Sequence, residues 1–128
     1  MRLLLDTHVL IWWDSKPEKL PADIIALLSQ PDTERFISVV SLWEIQIKHQ
    51  LGKLTLAKLL SEIYESQRHN QTSVLSVEPD HVFYLGSLPL HYKDPFDRLL
   101  IAQALVEGLT LLSKDEKFKL YGVPLLSF

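Results

Sequence analysis

The stretch Arg2-Leu3-Leu4-Leu5-Asp6 decides the fold class, because an acid follows directly on a short, continuously apolar run. Such a run is typical of a strand that is buried on both faces within a parallel sheet. Asp6 would then lie at the carboxyl end of this strand, where an ionised carboxylate is costly unless something compensates its charge. The run is also too short for a signal-peptide core or a membrane span.

Strands and helices alternate along the rest of the chain. Further strands are predicted over residues 36–40, 74–77 and 109–112, with an edge strand over 123–128; helices are predicted over 7–13, 22–28, 41–51, 56–67, 79–85 and 94–107, with a short one from Ser113. Parallel strands need crossover connections, so this alternation predicts a parallel sheet that helices cover on both faces. We expect a single domain with four or five strands.

The composition is that of an ordinary globular protein. With 128 residues, 47% of them hydrophobic and 23% charged, the chain is long enough for one hydrophobic core. The absence of cysteine excludes disulfides and thiolate zinc sites and fits a reducing compartment, so a cytoplasmic location is expected. The net charge of -3 disfavours nucleic-acid binding, unless several of the acids are gathered in one metal site.

Several acids are predicted to lie at one edge of the sheet. In an open α/β sheet, ligands bind beyond the carboxyl ends of the strands. Asp6 ends the first strand, Glu44 lies one helical turn after the second, and Asp115 follows the fourth. Asp94 and Asp97 open the helix that leads into the fourth strand, and the sequence does not fix their place relative to this edge.

Most of these acids also have a structural explanation. Ser41 with Glu44, and Ser113 with Glu116, have the spacing of a capping box. The run Asp94-Pro95-Phe96-Asp97 is typical of a helix start, with an N-cap and an acid in the first turn. A pair between Glu44 and Lys48 is a further alternative. Taken singly, capping or pairing is the favoured interpretation for every acid except Asp6.

Taken together, the acids indicate a metal site. Carboxylates gathered at one rim raise each other's pKa unless a divalent cation supplies the opposite charge. Ligation by oxygen alone suits Mg²⁺ or Mn²⁺, and such ions can activate water in phosphodiester hydrolysis. The sequence has no Gly-x-Ser-x-Gly elbow, phosphate-binding glycine loop or histidine pair at metal-ligand spacing, which leaves little support for other chemistries.

Four segments resemble, in order and spacing, the motifs of a PIN domain of the VapC toxin type. They are Leu3-Leu4-Leu5-Asp6-Thr7-His8, Ser41-Leu42-Trp43-Glu44-Ile45, Asp94-Pro95-Phe96-Asp97-Arg98-Leu99-Leu100-Ile101-Ala102-Gln103-Ala104 and Leu111-Leu112-Ser113-Lys114-Asp115. The Asp-Pro-Phe-Asp-Arg block is the most specific of them. The resemblance covers essentially the whole chain, as one PIN domain over residues 1–128.

This resemblance implies a fold and an activity. The fold is a three-layer α/β/α sandwich with a central, mainly parallel sheet of four or five strands. The activity is that of an Mg²⁺- or Mn²⁺-dependent endoribonuclease acting on RNA, the toxin of a type II toxin–antitoxin pair. A homodimer and a small cognate antitoxin that inserts near the active site are implied as well.

The resemblance also assigns site residues. Asp6, Glu44 and Asp115 match the acids of the first, second and fourth motifs. Asp94 and Asp97 both fall in the third motif; we favour Asp97 as the direct participant and keep Asp94 as a close second. The expected catalytic acids are Asp6, Glu44, Asp94, Asp97 and Asp115, and the expected metal ligands are Asp6, Glu44, Asp97 and Asp115.

Neighbouring residues receive supporting roles with alternatives. Thr7 and Ser113 either hydrogen-bond the site carboxylates or cap helices. His8, where many PIN domains carry Asn or Ser, orients a ligand, contacts RNA or is structural. Arg98 contacts the scissile phosphate or pairs with an acid. We interpret three tryptophans as core or subunit-interface residues in preference to base-stacking ones: Trp12, Trp13 and Trp43. Five lysines form either an RNA path or a solvated surface: Lys48, Lys53, Lys93, Lys114 and Lys117.

Two other functions remain open at this point. One is a PIN-like module that binds RNA or a protein without cleaving, which the loss of an acid would favour. The other is a housekeeping RNA-processing nuclease. The presence of all the expected acids favours a nuclease over the binding module.

Overall fold

The computed structural model describes residues 1–128 and contains five strands and six α-helices. The strands are β1 (Arg2–Leu5), β2 (Glu34–Ser38), β3 (Ser73–Leu75), β4 (Thr110–Ser113) and β5 (Leu125–Ser127). The helices are α1 (Thr7–Ser15), α2 (Ala22–Ser29), α3 (Val39–Gln50), α4 (Leu60–His69), α5 (Pro79–Tyr84) and α6 (Pro95–Glu107). Short 3₁₀ helices cover Pro17–Lys19, Leu85–Ser87 and Glu116–Tyr121.

All five strands form one parallel sheet in the order β3-β2-β1-β4-β5. The chain moves outward from β1 to β3 and then crosses back to place β4 on the other side of β1. The strand order therefore reverses between β1 and β4, which is the point where ligands bind in sheets of this kind. The predicted edge strand is present as β5, so the sheet has five strands.

The apolar run of β1 is continuous because helices cover the sheet on both faces. Leu3 and Leu5 pack in one hydrophobic cluster with residues of α1, α2 and α4, among them Leu10. Leu4 points to the opposite face and packs in a second cluster with Leu100 of α6. All three β1 leucines are fully buried, and the predicted α/β/α sandwich is confirmed.

The predicted boundary between the second strand and its helix was wrong by two residues. Strand β2 ends at Ser38, and α3 begins at Val39. The Ser38 hydroxyl caps the helix by accepting a hydrogen bond of 3.0 Å from Val40 N. This cap overrides the preference of two adjacent valines for a strand. Ser41 consequently lies inside the helix and is not its N-cap, so the predicted capping box of Ser41 and Glu44 is absent.

The start of α4 was also misjudged. The helix begins at Leu60, not near residue 56, and its N-cap Leu59 is 68% exposed. Ile63 is the helix residue that reaches the core. The chain contains no helix with the length and apolar character that crossing a bilayer requires.

Candidate active site

A cleft of about 520 Å³ opens at the carboxyl edge of the sheet, next to the reversal of strand order. All five acids predicted from the sequence line it. The residues that line the cleft are Asp6, His8, Trp12, Glu44, Lys48, Asp94, Asp97, Lys114, Asp115, Glu116, Lys117 and Phe118. Residues that lie more than 100 positions apart in the chain thus meet at one point of the fold.

Asp6 is held between β1 and β4. Its Oδ1 accepts a hydrogen bond of 2.8 Å from Thr7 N, and its Oδ2 accepts one of 2.7 Å from the Ser113 hydroxyl. The residue is only 8% exposed. Burial raises the pKa of Asp6; the hydrogen bonds from Ser113 and Thr7 and the charge of His8 counteract this in part, and the charge of Glu44 adds to the rise. The carboxylate therefore lacks a full counter-charge.

Glu44 projects from α3 into the same cleft and is almost fully buried. The Thr7 hydroxyl donates a hydrogen bond of 2.7 Å to Glu44 Oε1 and lies 2.9 Å from Ser41 Oγ. The other oxygen, Oε2, binds the ammonium group of Lys48, one helical turn along α3. The pair of Glu44 and Lys48 that the spacing suggested is thus present.

Asp94 and Asp97 both reach the cleft from the start of α6. Asp94 is the N-cap, as predicted: its Oδ1 accepts hydrogen bonds of 2.9 Å from Phe96 N and 3.1 Å from Asp97 N. Asp97 is buried, and this burial raises its pKa to about 6; a hydrogen bond from Lys117 opposes the shift, and the charge of Asp94 adds to it. The more deeply buried acid, Asp97, has the stronger need for a cation.

Asp115 lies where β4 gives way to a 3₁₀ helix. It caps that helix, because Asp115 Oδ1 accepts a hydrogen bond of 3.0 Å from Lys117 N. The capping box predicted for Ser113 and Glu116 was wrong. The Ser113 hydroxyl instead accepts a hydrogen bond of 3.0 Å from Asp115 N while it donates to Asp6, so one buried hydroxyl connects two of the site acids.

Two lysines supply part of the positive charge that the gathered acids need. The ammonium nitrogen of Lys117 lies 2.7 Å from Asp97 Oδ2 and 3.3 Å from Asp115 Oδ2. Burial by itself lowers the pKa of Lys117, but these two carboxylates outweigh it and raise the pKa above its usual range. Lys48 is affected in the same way by Glu44. The acids are therefore partly neutralised by the protein itself.

The donor set fits a hard divalent cation in its chemistry. Every acidic group in the cleft offers carboxylate oxygens, the ligands that Mg²⁺ and Mn²⁺ prefer. As the side chains stand, no three of them converge closely enough to hold one ion. Ammonium groups occupy oxygens of Glu44, Asp97 and Asp115. An ion would therefore have to displace Lys117, or Lys48, from the carboxylates.

Some of the supporting roles predicted from the sequence agree with the observed contacts, and others do not. Thr7 and Ser113 do hydrogen-bond site carboxylates, as expected. His8 is exposed and lines the cleft. Arg98 does neither of the things suggested for it, because its guanidinium donates to the carbonyl oxygens of Pro89 and Leu85 and lies outside the cleft lining. Its role is to hold the 85–89 loop against α6.

The aromatic residues also differ from one another. Trp12 and Trp13 are partly buried against the core, as predicted, but Trp12 in addition lines the cleft. Trp43 is 54% exposed and contacts Phe96 edge-on, with ring centroids 5.0 Å apart, so it is no core residue. The only sequence feature that could have predicted Trp12 in the cleft is its spacing of four residues from His8, which places both on one face of α1.

This sequence and fold match those of known proteins. The PIN domain family matches residues 3–123. Ribonuclease VapC22 of Mycobacterium tuberculosis is 27% identical over 124 residues, which are 95% of this chain and 93% of that protein.

Two solved structures have similar folds. In VapBC2 from Rickettsia felis bound to a promoter DNA fragment, the matching chain has a TM-score of 0.73 at 20% identity, with 99% of this chain and 98% of that chain covered. In VapBC-1 from nontypeable Haemophilus influenzae the TM-score is 0.65 at 17% identity, with the same coverage. Because the family match spans nearly the whole sequence, this chain belongs to the PIN domain family.

Proposed function

We propose that this chain is a metal-dependent endoribonuclease that hydrolyses RNA phosphodiester bonds. The observation that carries the proposal is the meeting of all five predicted carboxylates in one cleft at the reversal of strand order. Capping and ion pairing explain the other four acids singly, but they explain neither Asp6 nor why all five line the same cleft. These negative charges repel one another, and a divalent cation would relieve that repulsion.

The site residues would have three different roles. Asp6, Glu44, Asp97 and Asp115 would hold Mg²⁺ or Mn²⁺, which supplies an activated water and stabilises the leaving oxygen. Asp94 keeps the start of α6 in place by capping it and adds negative charge to the cleft. Thr7 and Ser113 fix the orientation of Glu44 and Asp6, so that their oxygens are positioned before the cation arrives.

The similarity to Ribonuclease VapC22 supports RNA as the substrate. The VapBC complexes among the solved structures support a role as the toxin of a type II toxin–antitoxin pair, with a small antitoxin as partner. We further propose that residues 1–128 act as one domain in the cytoplasm and pair as a homodimer. Exposed apolar side chains such as Phe83 and Leu90 offer area for such contacts.

The test of the catalytic proposal is RNA cleavage by the purified protein with Mg²⁺ or Mn²⁺ and with a chelator. Asp6→Asn and Glu44→Gln should each abolish cleavage while circular dichroism shows a folded protein. Glu65→Gln, which removes an exposed acid from α4, is the matched control and should cleave normally. Undiminished cleavage by either site variant, or in the presence of the chelator, contradicts the proposed site.

Growth on expression of the chain alone separates the toxin from the other functions. A toxin arrests growth, and its Glu44→Gln variant does not. Cleavage without arrest identifies a housekeeping nuclease, and RNA binding without cleavage identifies a non-catalytic module. Co-expression with the product of an adjacent short reading frame should restore growth if that product is the antitoxin.

A further inference from the structure

One wall of the cleft differs from the acidic remainder. It is formed by His8, Trp12 and Lys114, which we call the aromatic wall. The rings of His8 and Trp12 are 5.8 Å apart and tilted by 43°. Lys114 Nζ lies over the indole ring of Trp12, 5.9 Å from its centroid. Lys114 directly precedes Asp115, so the wall adjoins the carboxylates where a phosphodiester would be cut.

The indole of Trp12 is anchored on one side and reachable on the other. It packs against the core cluster that contains Leu10 and Ile11, which fixes its orientation, yet it still lines the cleft. Phe118 is the other large aromatic residue in the cleft lining, and it is almost fully buried. Trp12 is therefore the one large aromatic surface that a molecule in this cleft can contact.

The position of Lys114 shows that a face of this ring is accessible. An exposed, flexible ammonium group covers it, and a cation–π contact of an exposed lysine is weaker than the stack of a base on an aromatic ring. A nucleobase can therefore displace Lys114 from the indole. The displaced ammonium group is then free to contact a phosphate of the same strand, where opposite charges attract.

We propose that the aromatic wall is a nucleobase subsite: Trp12 stacks on an unpaired base next to the scissile phosphate, and Lys114 binds a phosphate of that strand. This inference rests on the proposed function and deepens it by assigning the residues that hold a base beside the scissile phosphate. A paired base is stacked within its helix and cannot offer a free face to Trp12. Base stacking also provides affinity that does not depend on phosphate charge, in a cleft whose charges are mainly negative.

The test compares two strands that differ only in their bases. One is a short fluorescently labelled single-stranded RNA, and the other is an abasic strand of the same length and charge. Binding is measured by fluorescence anisotropy with Mg²⁺ in the Glu44→Gln background, where the proposed function predicts an uncut strand, and a gel checks that it is intact. Trp12→Leu keeps an apolar side chain without a π-face, and Trp12→Phe keeps an aromatic ring.

Trp12→Leu should weaken binding of the RNA by about 5- to 150-fold, the range that one base–aromatic stack contributes. It should leave binding of the abasic strand unchanged, and Trp12→Phe should recover most of the loss. Lys114→Ala should weaken both strands by a similar factor. The controls are Tyr64→Leu, which removes a partly exposed ring of α4 outside the cleft, and Lys19→Ala, which removes an exposed lysine outside the cleft; neither should change binding.

The proposal is overturned if Trp12→Leu binds RNA as tightly as the parent, or if its affinity falls equally for the RNA and the abasic strand. It is also overturned if light scattering shows that this substitution changes the oligomeric state. If Trp12→Leu loses the circular dichroism signal of a folded protein, the test rests on Trp12→Phe and on the parent. The parent must then bind the RNA more than about fivefold more tightly than the abasic strand. Cleavage of the strand in the Glu44→Gln background contradicts the proposed catalytic site and leaves the subsite to be judged by the Trp12 comparison.

Discussion

The ammonium nitrogen of Lys117 lies 2.7 Å from Oδ2 of Asp97, and both residues line the carboxylate cleft. The same nitrogen is 3.3 Å from Asp115, so a single cationic side chain bridges two of the expected metal ligands. The Lys117 side chain is 30% exposed, which leaves it room to move toward solvent. A divalent cation and Lys117 therefore compete for the same oxygens.

Removing this competitor should strengthen metal binding. Lys117→Met should raise the affinity for Mn²⁺ by about tenfold or more, because a hydrogen bond to a charged group contributes about 1.5–3 kcal/mol. The measurement is calorimetric titration of the metal-free protein with Mn²⁺. Lys119→Met is the control, since Lys119 pairs with Glu116 at a largely exposed position, and its affinity should match that of the parent. Weaker binding by Lys117→Met would mean that Lys117 assists the ion.

The stability of the metal-free protein should depend on pH through Asp97. Its pKa is raised from 3.8 to about 6, so the folded state binds this proton more tightly than the unfolded state does. Stability from this group is present below pH 3.8 and is lost as the pH rises to about 6, after which it stays level. The total loss is at most about 3 kcal/mol.

Asp97→Asn removes this titration and provides the measurement. Urea unfolding with a chelator present, from pH 4 to pH 8, should show the parent losing stability relative to the variant up to pH ~6 and no further change above it. Glu65→Gln, the exposed acid in α4, should show a constant difference from the parent. A parent that gains stability relative to Asp97→Asn over this range would contradict the raised pKa.

Ser113 should be important to both stability and activity. Its buried hydroxyl donates to Asp6 and accepts from Asp115 N, and Ser113→Ala leaves a buried carboxylate with one donor fewer. We expect a loss of about 1.5–3 kcal/mol at neutral pH and slower cleavage per folded molecule. Urea unfolding and initial rates measure the two effects. Ser29→Ala, which loses an exposed hydrogen bond within α2, should change neither by a comparable amount.

Asp14 is a buried acid that has no place in the cleft. Its side chain is fully buried at the end of α1, where it accepts a hydrogen bond of 2.9 Å from Gln67 and pairs with Lys58 at 2.9 Å. Asp14→Ala should cost about 1–3 kcal/mol, because the buried amide of Gln67 loses its acceptor while the partly exposed Lys58 can be hydrated. Lys58→Met should cost at least as much, because it leaves the fully buried carboxylate of Asp14 without its cation.

Cleavage by Asp14→Ala, measured per folded molecule below its unfolding temperature, should equal that of the parent. This variant therefore separates the acids that hold the fold from those that line the cleft. A loss of cleavage comparable to that of Glu44→Gln would place Asp14 in the catalytic site.

The sequence by itself determined the fold class and the edge of the sheet at which Asp6 stands. The continuous apolar run of β1 requires a sheet that is covered on both faces, and an acid directly after it has to stand at the carboxyl edge. The run Asp94-Pro95 likewise specified the start of α6, because the N-cap and the proline are local signals. These features depend on neighbouring residues, and so the pattern is sufficient to predict them.

Only the tertiary structure decided which partners the acids have. That Ser38 and not Ser41 caps α3, that Ser113 connects Asp6 to Asp115, and that Arg98 turns away from the cleft all depend on contacts between distant segments. The same holds for Lys117, whose bridge between Asp97 and Asp115 exists only after α6 has packed beside β4. Spacing along a chain fixes the face of a helix on which a side chain lies, whereas the packing of that helix decides which charge the side chain meets.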